Sequence, residues 1–266
     1  MTTTASRARA PGHSRLGWMV SDTLAITGRN LLTYVRLPQL VVFSTIQPIM
    51  FVLIFRYVFG GAIPTPGSYV DYLMPGIFVQ TVAFGAIGTG VGLAEDLRKG
   101  LIERFRSLPM ASSAVLGGRT TADLVRNVFV VSLMAAVGFL VGFRVHTGPG
   151  PFLVGILLLL LFGYALSWGF ALVGLRAANA ETAQATAFPI LFPLVFASSA
   201  FVPLETMPGW LQAFAGHQPV TVVVDAVRAL MLGGAAGRPL LEALAWSLGL
   251  LAVFAPLAVL RYRRTQ

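Results

Sequence analysis

Long apolar runs alternate with short polar segments along this chain of 266 residues. Six of the runs have about the 20 residues that a helix needs to cross the hydrocarbon core of a bilayer. Because they are continuous and do not alternate with a period of two, they predict transmembrane helices rather than the strands of a barrel. The predicted spans lie near Leu40–Phe59, Tyr72–Leu93, Ala122–Phe143, Phe152–Leu175, Ala183–Val202 and Leu240–Leu260.

The segment before the first span has a different pattern. Apolar residues recur at helical spacing between Leu16 and Leu31, and Arg29 and Arg36 accompany them. This pattern predicts an amphipathic helix that lies in the membrane interface. Residues 1–15 are small and polar, so we expect a disordered tail there, followed by a single membrane domain over residues 16–266.

The segment between the fifth and sixth spans is too polar to cross the membrane and too apolar to be a free loop. Pro208 and Pro219 each stand where a helix can begin, because proline fits the first turn of a helix. We therefore predict two short helices here, external or re-entrant. Together these patterns predict an all-α integral membrane protein.

Composition agrees with a membrane protein. Hydrophobic residues make up 56% of the chain, charged residues only 11%, and the mean hydropathy is +0.79, whereas about a quarter of a soluble domain is charged. The net charge of +9 does not indicate nucleic acid as a partner, because the basic residues lie beside the spans rather than on one face. The absence of cysteine excludes disulfides and thiolate metal sites.

The basic residues also predict the orientation. They are concentrated in the N-terminal segment, the 94–121 loop, the loop at Arg176 and the C-terminal tail. The opposite loops carry only Arg144, Arg228 and Arg238. Because cytoplasmic loops carry the excess of Lys and Arg, both termini and the 94–121 loop are predicted to be cytoplasmic. The expected location of the protein is the cell membrane of a bacterium.

The densest charge cluster, "EDLRKGLIERFRSLP", lies between the second and third spans. Its apolar residues Leu97, Leu101, Phe105 and Leu108 fall on one helical face, with charges of both signs around them. Two interpretations remain open: a helix anchored on anionic lipid through its arginines, or a coupling helix that docks to a cytoplasmic protein. The acidic residues favour docking. The candidate docking residues are Glu95, Asp96, Arg98, Lys99, Leu101, Glu103, Arg104, Phe105 and Arg106.

Several stretches resemble the permease subunits of type-2 ABC exporters, and more specifically the daunorubicin-resistance branch, which exports drugs, antibiotics and lipids. They are the pattern "E…G…R..SLPM…AVLGGR" in Glu95–Arg119, "YVDYLMPGIFVQT" at the second span and "FASSAFVPLETMPGW" after the fifth. The resemblance extends from Arg29 to Leu230 and implies a coupling helix between spans two and three. It also implies a homodimer or heterodimer of permeases above two ATPase subunits, in which each coupling helix sits in a groove of one ATPase.

The chain lacks the G-x-x-x-x-G-K-[ST] loop that cradles nucleotide phosphates. We therefore expect no bound cofactor in this chain and expect the partner subunit to use ATP and Mg²⁺.

A membrane enzyme would need a nucleophile with its base or a metal cluster. His13, His146 and His217 are scattered over a tail and two loops, and no G-x-S-x-G is present, so no catalytic residue is predicted.

A secondary transporter or a pore that no ATPase drives is the alternative function. Ion-coupled transporters keep ionisable residues at mid-membrane, and these spans are nearly free of charge. Arg126 is expected to snorkel to the cytoplasmic surface or to pair with Asp123. The glycines of Gly85–Gly92 fit gating hinges, a dimer seam and close packing equally well. A cavity lined by Phe, Leu, Met and Ala would suit an amphipathic drug, antibiotic or lipid.

Overall fold

The computed structural model describes residues 15–36, 38–63, 65, 67–100 and 112–264. Nine α-helices account for most of this part of the chain, and it contains no β-strand, so the predicted all-α class is confirmed. The predicted disordered tail lies outside the described residues except for Arg15. The helices are α1 Arg15–Arg36, α2 Pro38–Leu53, α3 Tyr69–Arg98, α4 Ser112–Leu140, α5 Pro149–Gly174, α6 Ala180–Phe196, α7 Gly209–Ala215, α8 Pro219–Leu232 and α9 Gly237–Arg264.

Four of the six predicted spans correspond to helices that are long and apolar enough to cross a membrane, namely α3, α4, α5 and α9. The first predicted span is α2 continued by a π-helical turn, Ile54–Phe59. The fifth is α6, which has 17 residues and is therefore about 26 Å long, slightly short of the hydrocarbon thickness. Six membrane crossings remain a prediction.

The end predicted for the fifth span is wrong. It was placed at Val202, but α6 ends at Phe196 and the chain then turns back. The tyrosines that begin α3 hold this turn, because the hydroxyl of Tyr69 donates to the carbonyl of Phe201 (3.0 Å) and that of Tyr72 to the carbonyl of Ser199 (2.9 Å). These polar partners stop an apolar run that hydropathy alone would extend.

The core is built around α3, the most buried of the four long helices. Its glycines let other backbones approach. A Cβ on Gly90 would lie 2.4 Å from the carbonyl oxygen of Phe170 in α5, and one on Gly174 would lie 2.3 Å from the carbonyl oxygen of Gly90. At Gly76 a Cβ would lie 2.1 Å from the carbonyl oxygen of Ala200. Close backbone packing therefore accounts for these glycines.

The two short helices predicted between the last two spans are present as α7 and α8. Pro208 immediately precedes α7, and Pro219 is the first residue of α8, as the pattern indicated. Helix α8 packs into the core through Val223, Val224 and Val227, which are fully buried. It is therefore an integral part of the bundle and not a surface loop.

Candidate functional site

A polar cavity of about 420 Å³ opens between α2, α3, α4 and α6. Among the described residues its apolar lining includes Phe84, Ile87, Val91, Val130 and Phe188. Each of the four helices contributes a side-chain amide. The polar lining residues are Gln47, Gln80, Thr81, Arg126, Asn127 and Gln184.

Arg126 is the charged residue of this cavity. It lies seven residues beyond Arg119 along α4, which places it about 10 Å deeper in the bundle. Its Nη2 donates to the carbonyl of Gly85 (2.7 Å) and to Oδ1 of Asn127 (3.2 Å). A Cβ on Gly85 would lie 2.9 Å from Nη2 and one on Gly88 3.2 Å from Nη1, so both glycines make room for the guanidinium.

The expected pair between Arg126 and Asp123 is not formed. The Asp123 carboxylate is fully buried and instead accepts hydrogen bonds from the hydroxyls of Tyr34 (2.5 Å) and Thr89. Within the ranges that the structure describes, no carboxylate lies within ion-pair distance of Arg126. The reason is geometric, because the glycines of α3 draw the guanidinium toward the cavity while α1 and α3 supply donors to Asp123.

Two buried amides of the cavity have unused hydrogen-bonding atoms. Gln80 is 2% exposed and its Oε1 has no partner, and Asn127 is 3% exposed and its Nδ2 has none. The Nε of Arg126 is also without a partner. A buried polar atom without a partner costs about 1–3 kcal/mol, so these three side chains are held around the cavity at a cost in stability. In the described ranges no cluster of three or more His, Cys, Asp or Glu side chains could hold a metal ion.

A second charged site joins three helices at one end of the bundle. Asp96 of α3 forms ion pairs with Arg29 of α1 (3.3 Å) and Arg119 of α4 (3.4 Å). Arg119 crosses directly over Gly92, where a Cβ would overlap the guanidinium at 1.5 Å. Next to Arg119, a Cβ on Gly118 would lie 2.6 Å from Cβ of Ile26, so α1 packs tightly on α4. The sequence "GGR" is thus explained by packing and by an ion pair.

The structure divides the predicted docking residues. Glu95, Asp96 and Arg98 belong to the last turns of α3, so the predicted separate helix does not begin at Glu95. Asp96 points inward, whereas Glu95 and Lys99 form an exposed pair at 2.6 Å. Gly100 has a φ of +67°, which ends the helix. The other predicted residues, Leu101, Glu103, Arg104, Phe105 and Arg106, lie outside the described part, and the docking role stays a prediction.

A third cluster lies at the opposite end of the bundle and was not predicted. The guanidinium of Arg228 lies 3.8 Å from the ring centroid of Tyr72 and donates to Asp225 (2.8 Å) and to the carbonyls of Tyr72 and Ser199. Burial raises the pKa of the Asp225 carboxyl and lowers that of the Arg228 guanidinium. The available signal was the i, i+3 pair of opposite charges within the otherwise apolar "VDAVRAL".

Replacing Arg228 with alanine is expected to destabilise the protein by about 3 kcal/mol, because the carbonyls of Tyr72 and Ser199 each lose a hydrogen bond and the carboxylate of Asp225 loses its ion pair. The unfolding temperature in detergent measures this. Arg238→Ala is the matched control, since the Arg238 side chain is 89% exposed and forms a surface pair with Glu242. It should leave that temperature unchanged, and equal losses in both variants would contradict the assignment.

Comparison with known proteins agrees with this architecture. The family described as ABC-2 type transporter matches residues 21–232. The daunorubicin resistance ABC transporter permease protein DrrB1 of Streptomyces coeruleorubidus is 37% identical over 92% of this chain and 87% of its own length. The probable doxorubicin resistance ABC transporter permease protein DrrC of Mycobacterium tuberculosis is 28% identical over 96% of this chain and 94% of its own length.

A more distant relative, the putative transport permease ycf38 of Pyropia yezoensis, is 26% identical over 80% of this chain and 74% of its own length. The family match covers α2 to α8 and most of α1, and therefore includes the polar cavity and both charged clusters. The chain belongs to the ABC-2 type transporter family, as a multi-pass membrane permease.

Proposed function

We propose that this chain is the permease half of an ATP-driven exporter and that the polar cavity forms part of its translocation path. The observation that carries the proposal is the set of polar side chains, four amides and Arg126, that line one cavity inside an apolar bundle. Polar groups are costly within a membrane, and where they occur they mark substrate paths. Aromatic rings beside them suit an amphipathic substrate, and the relatives named for daunorubicin and doxorubicin resistance support a drug, an antibiotic or a lipid.

A second permease copy, identical or related, completes the path in this proposal. The helices that border the cavity, α2 and α6, also carry exposed apolar side chains. Ile46 and Met50 of α2 are 45% and 47% exposed, and Phe188 and Phe192 of α6 are 43% and 41% exposed. A partner helix pair on this face would cover them and would bring two cavities together, whereas the remaining surface is left to membrane lipid.

Two ATPase subunits supply the energy in this proposal, and they bind ATP and Mg²⁺. The Asp96 end of the bundle faces the cytoplasm and the Asp225 end faces outward, in agreement with the arginine distribution and with a bacterial cell membrane. The ATPase docks on the segment that begins with the exposed Glu95–Lys99 pair. Movement there would reach α1 and α4 through Asp96, because Asp96 joins α3 to both helices.

Reconstitution in proteoliposomes tests this function. The chain alone should hydrolyse no ATP, and the chain with its ATPase should export an amphipathic drug only when ATP is supplied. The Gln80→Leu variant should lose most substrate stimulation while retaining basal hydrolysis, since only the cavity is changed. Export driven by a proton gradient without any ATPase would instead establish the secondary-transporter alternative.

The docking segment gives a separate prediction. Glu95→Lys and Glu103→Lys should each reduce co-purification of the ATPase, and Phe105→Ala should weaken it most, by about 2 kcal/mol if Phe105 is the apolar anchor of the interface. The measurement is capture of the ATPase from membranes that contain each variant. A lipid anchor predicts the opposite for the two charge reversals, because each added basic residue strengthens binding to anionic lipid by about 1 kcal/mol.

A further inference from the structure

An apolar groove of about 570 Å³ lies beside the polar cavity, between α1, α2 and α4. Val35, Val42 and Phe129 line it and are 75%, 53% and 57% exposed, so the groove opens toward lipid. Arg126 lines both the groove and the polar cavity, and it is the one residue that the two linings share among the described residues. A molecule in the groove and a molecule in the cavity would therefore meet the same guanidinium.

Arg126 also sets the charge of both spaces. Within the described part of the chain it is the one charged side chain that lines either of them. The carboxylate one turn before it, Asp123, accepts from the hydroxyls of Tyr34 and Thr89 and lines neither space. Because the guanidinium carries a permanent charge and has no ion-pair partner in the described residues, the junction of groove and cavity attracts an anion and repels a cation.

We infer that the substrate is a lipid-like anion that enters from the bilayer, with its hydrocarbon body in the groove and its phosphate or carboxylate at Arg126. This inference rests on the proposed export function and specifies its substrate class. The phosphate or carboxylate of such a molecule can accept charge-assisted hydrogen bonds from the guanidinium of Arg126. A cationic amphiphile of equal size gains none of these contacts with its charge.

Binding to the purified full chain in nanodiscs of zwitterionic lipid tests the inference without ATP or ATPase. The probes are a fluorescent lysophosphatidic acid, the lysophosphatidylcholine with the same acyl chain, and an alkyltrimethylammonium ion of the same length. The anionic probe should bind at least tenfold more tightly than the other two. Equal binding of the three, or tighter binding of the cation, would overturn the inference while leaving the export function to the transport assay.

Two substitutions and one control locate the effect. Arg126→Gln should remove the preference for the anionic probe, whereas Arg176→Gln, which removes one exposed arginine from the loop between α5 and α6, should retain it. Val125→Trp should fill the groove and weaken the anionic probe at least fivefold, and it remains informative if Arg126→Gln does not fold, because Val125 is 45% exposed. A preference that survives both Arg126→Gln and Val125→Trp would refute the site.

Soluble glycerol 3-phosphate distinguishes a bilayer substrate from a free phosphate. At millimolar concentration it should not displace the anionic probe, because it lacks the body that the groove holds. Displacement as effective as that by unlabelled lysophosphatidic acid would show that the headgroup alone carries binding and would overturn the role of the groove.

Discussion

Replacing Gly90 with alanine is expected to cost at least about 3 kcal/mol and to remove most of the folded permease from the membrane. The added Cβ would lie 2.4 Å from the carbonyl oxygen of Phe170, a backbone atom that cannot rotate away. Either α3 and α5 separate or both helices shift, and each alternative opens the most buried part of the core.

Gly249→Ala in α9 is the matched control, because a Cβ there has no neighbour within 4 Å. Alanine stabilises a helix relative to glycine, so this variant should be neutral or slightly more stable. Yield of monodisperse protein and unfolding temperature in detergent compare the two. A Gly90→Ala protein as stable as the Gly249→Ala protein would show that α3 and α5 do not approach as closely as described.

Replacing Asp96 with asparagine is expected to cost about 3 kcal/mol and to abolish transport. The substitution leaves Arg29 and Arg119 facing each other without the carboxylate that joins them. Removing one partner of a buried ion pair costs about 3–5 kcal/mol, and the lower end applies here because all three side chains are partly exposed. The loss also disconnects α1 and α4 from the end of α3.

Glu95→Gln is the control for Asp96→Asn, since it removes a neighbouring carboxylate from an exposed pair with Lys99. Exposed pairs contribute less than about 1 kcal/mol, so the unfolding temperature should hardly change. The double variant Asp96→Arg/Arg119→Asp forms the same ion pair with the two charges exchanged, so it should recover part of the lost stability. Equal destabilisation by Asp96→Asn and Glu95→Gln would contradict the assignment of Asp96 as the residue that joins α3 to α1 and α4.

The sequence predicted the features that depend on the length of an apolar run or on the position of a proline. Spans of more than 20 apolar residues became α3, α4, α5 and α9, since nothing else satisfies the backbone in lipid. Pro208 and Pro219 marked α7 and α8 because proline is accepted at a helix start. Hydropathy could not place the end of α6, which depends on tyrosines more than 120 residues earlier in the chain.

The cavity could not be predicted, because its residues come from four helices and none is unusual by itself. Gln47, Gln80, Asn127 and Gln184 lie at least 33 residues apart along the chain, and only the tertiary structure brings them to one space. The glycines of Gly85–Gly92 fitted several roles. The structure assigns Gly85 and Gly88 to the guanidinium of Arg126, Gly90 to α5 and Gly92 to Arg119. Those assignments required the positions of the neighbouring helices and arginines, which the spacing of the glycines does not give.

The most direct test of the translocation path uses the absence of cysteine from the chain. Gln184→Cys introduces a single thiol into the lining of the cavity, and Leu257→Cys places one on α9, where the side chain is 45% exposed and lies outside the cavity. Each variant is reconstituted with the ATPase, labelled to completion with a bulky maleimide and assayed for ATP-dependent export. We predict that labelled Gln184→Cys loses export and that labelled Leu257→Cys retains it. Undiminished export by fully labelled Gln184→Cys would contradict the placement of the path in this cavity.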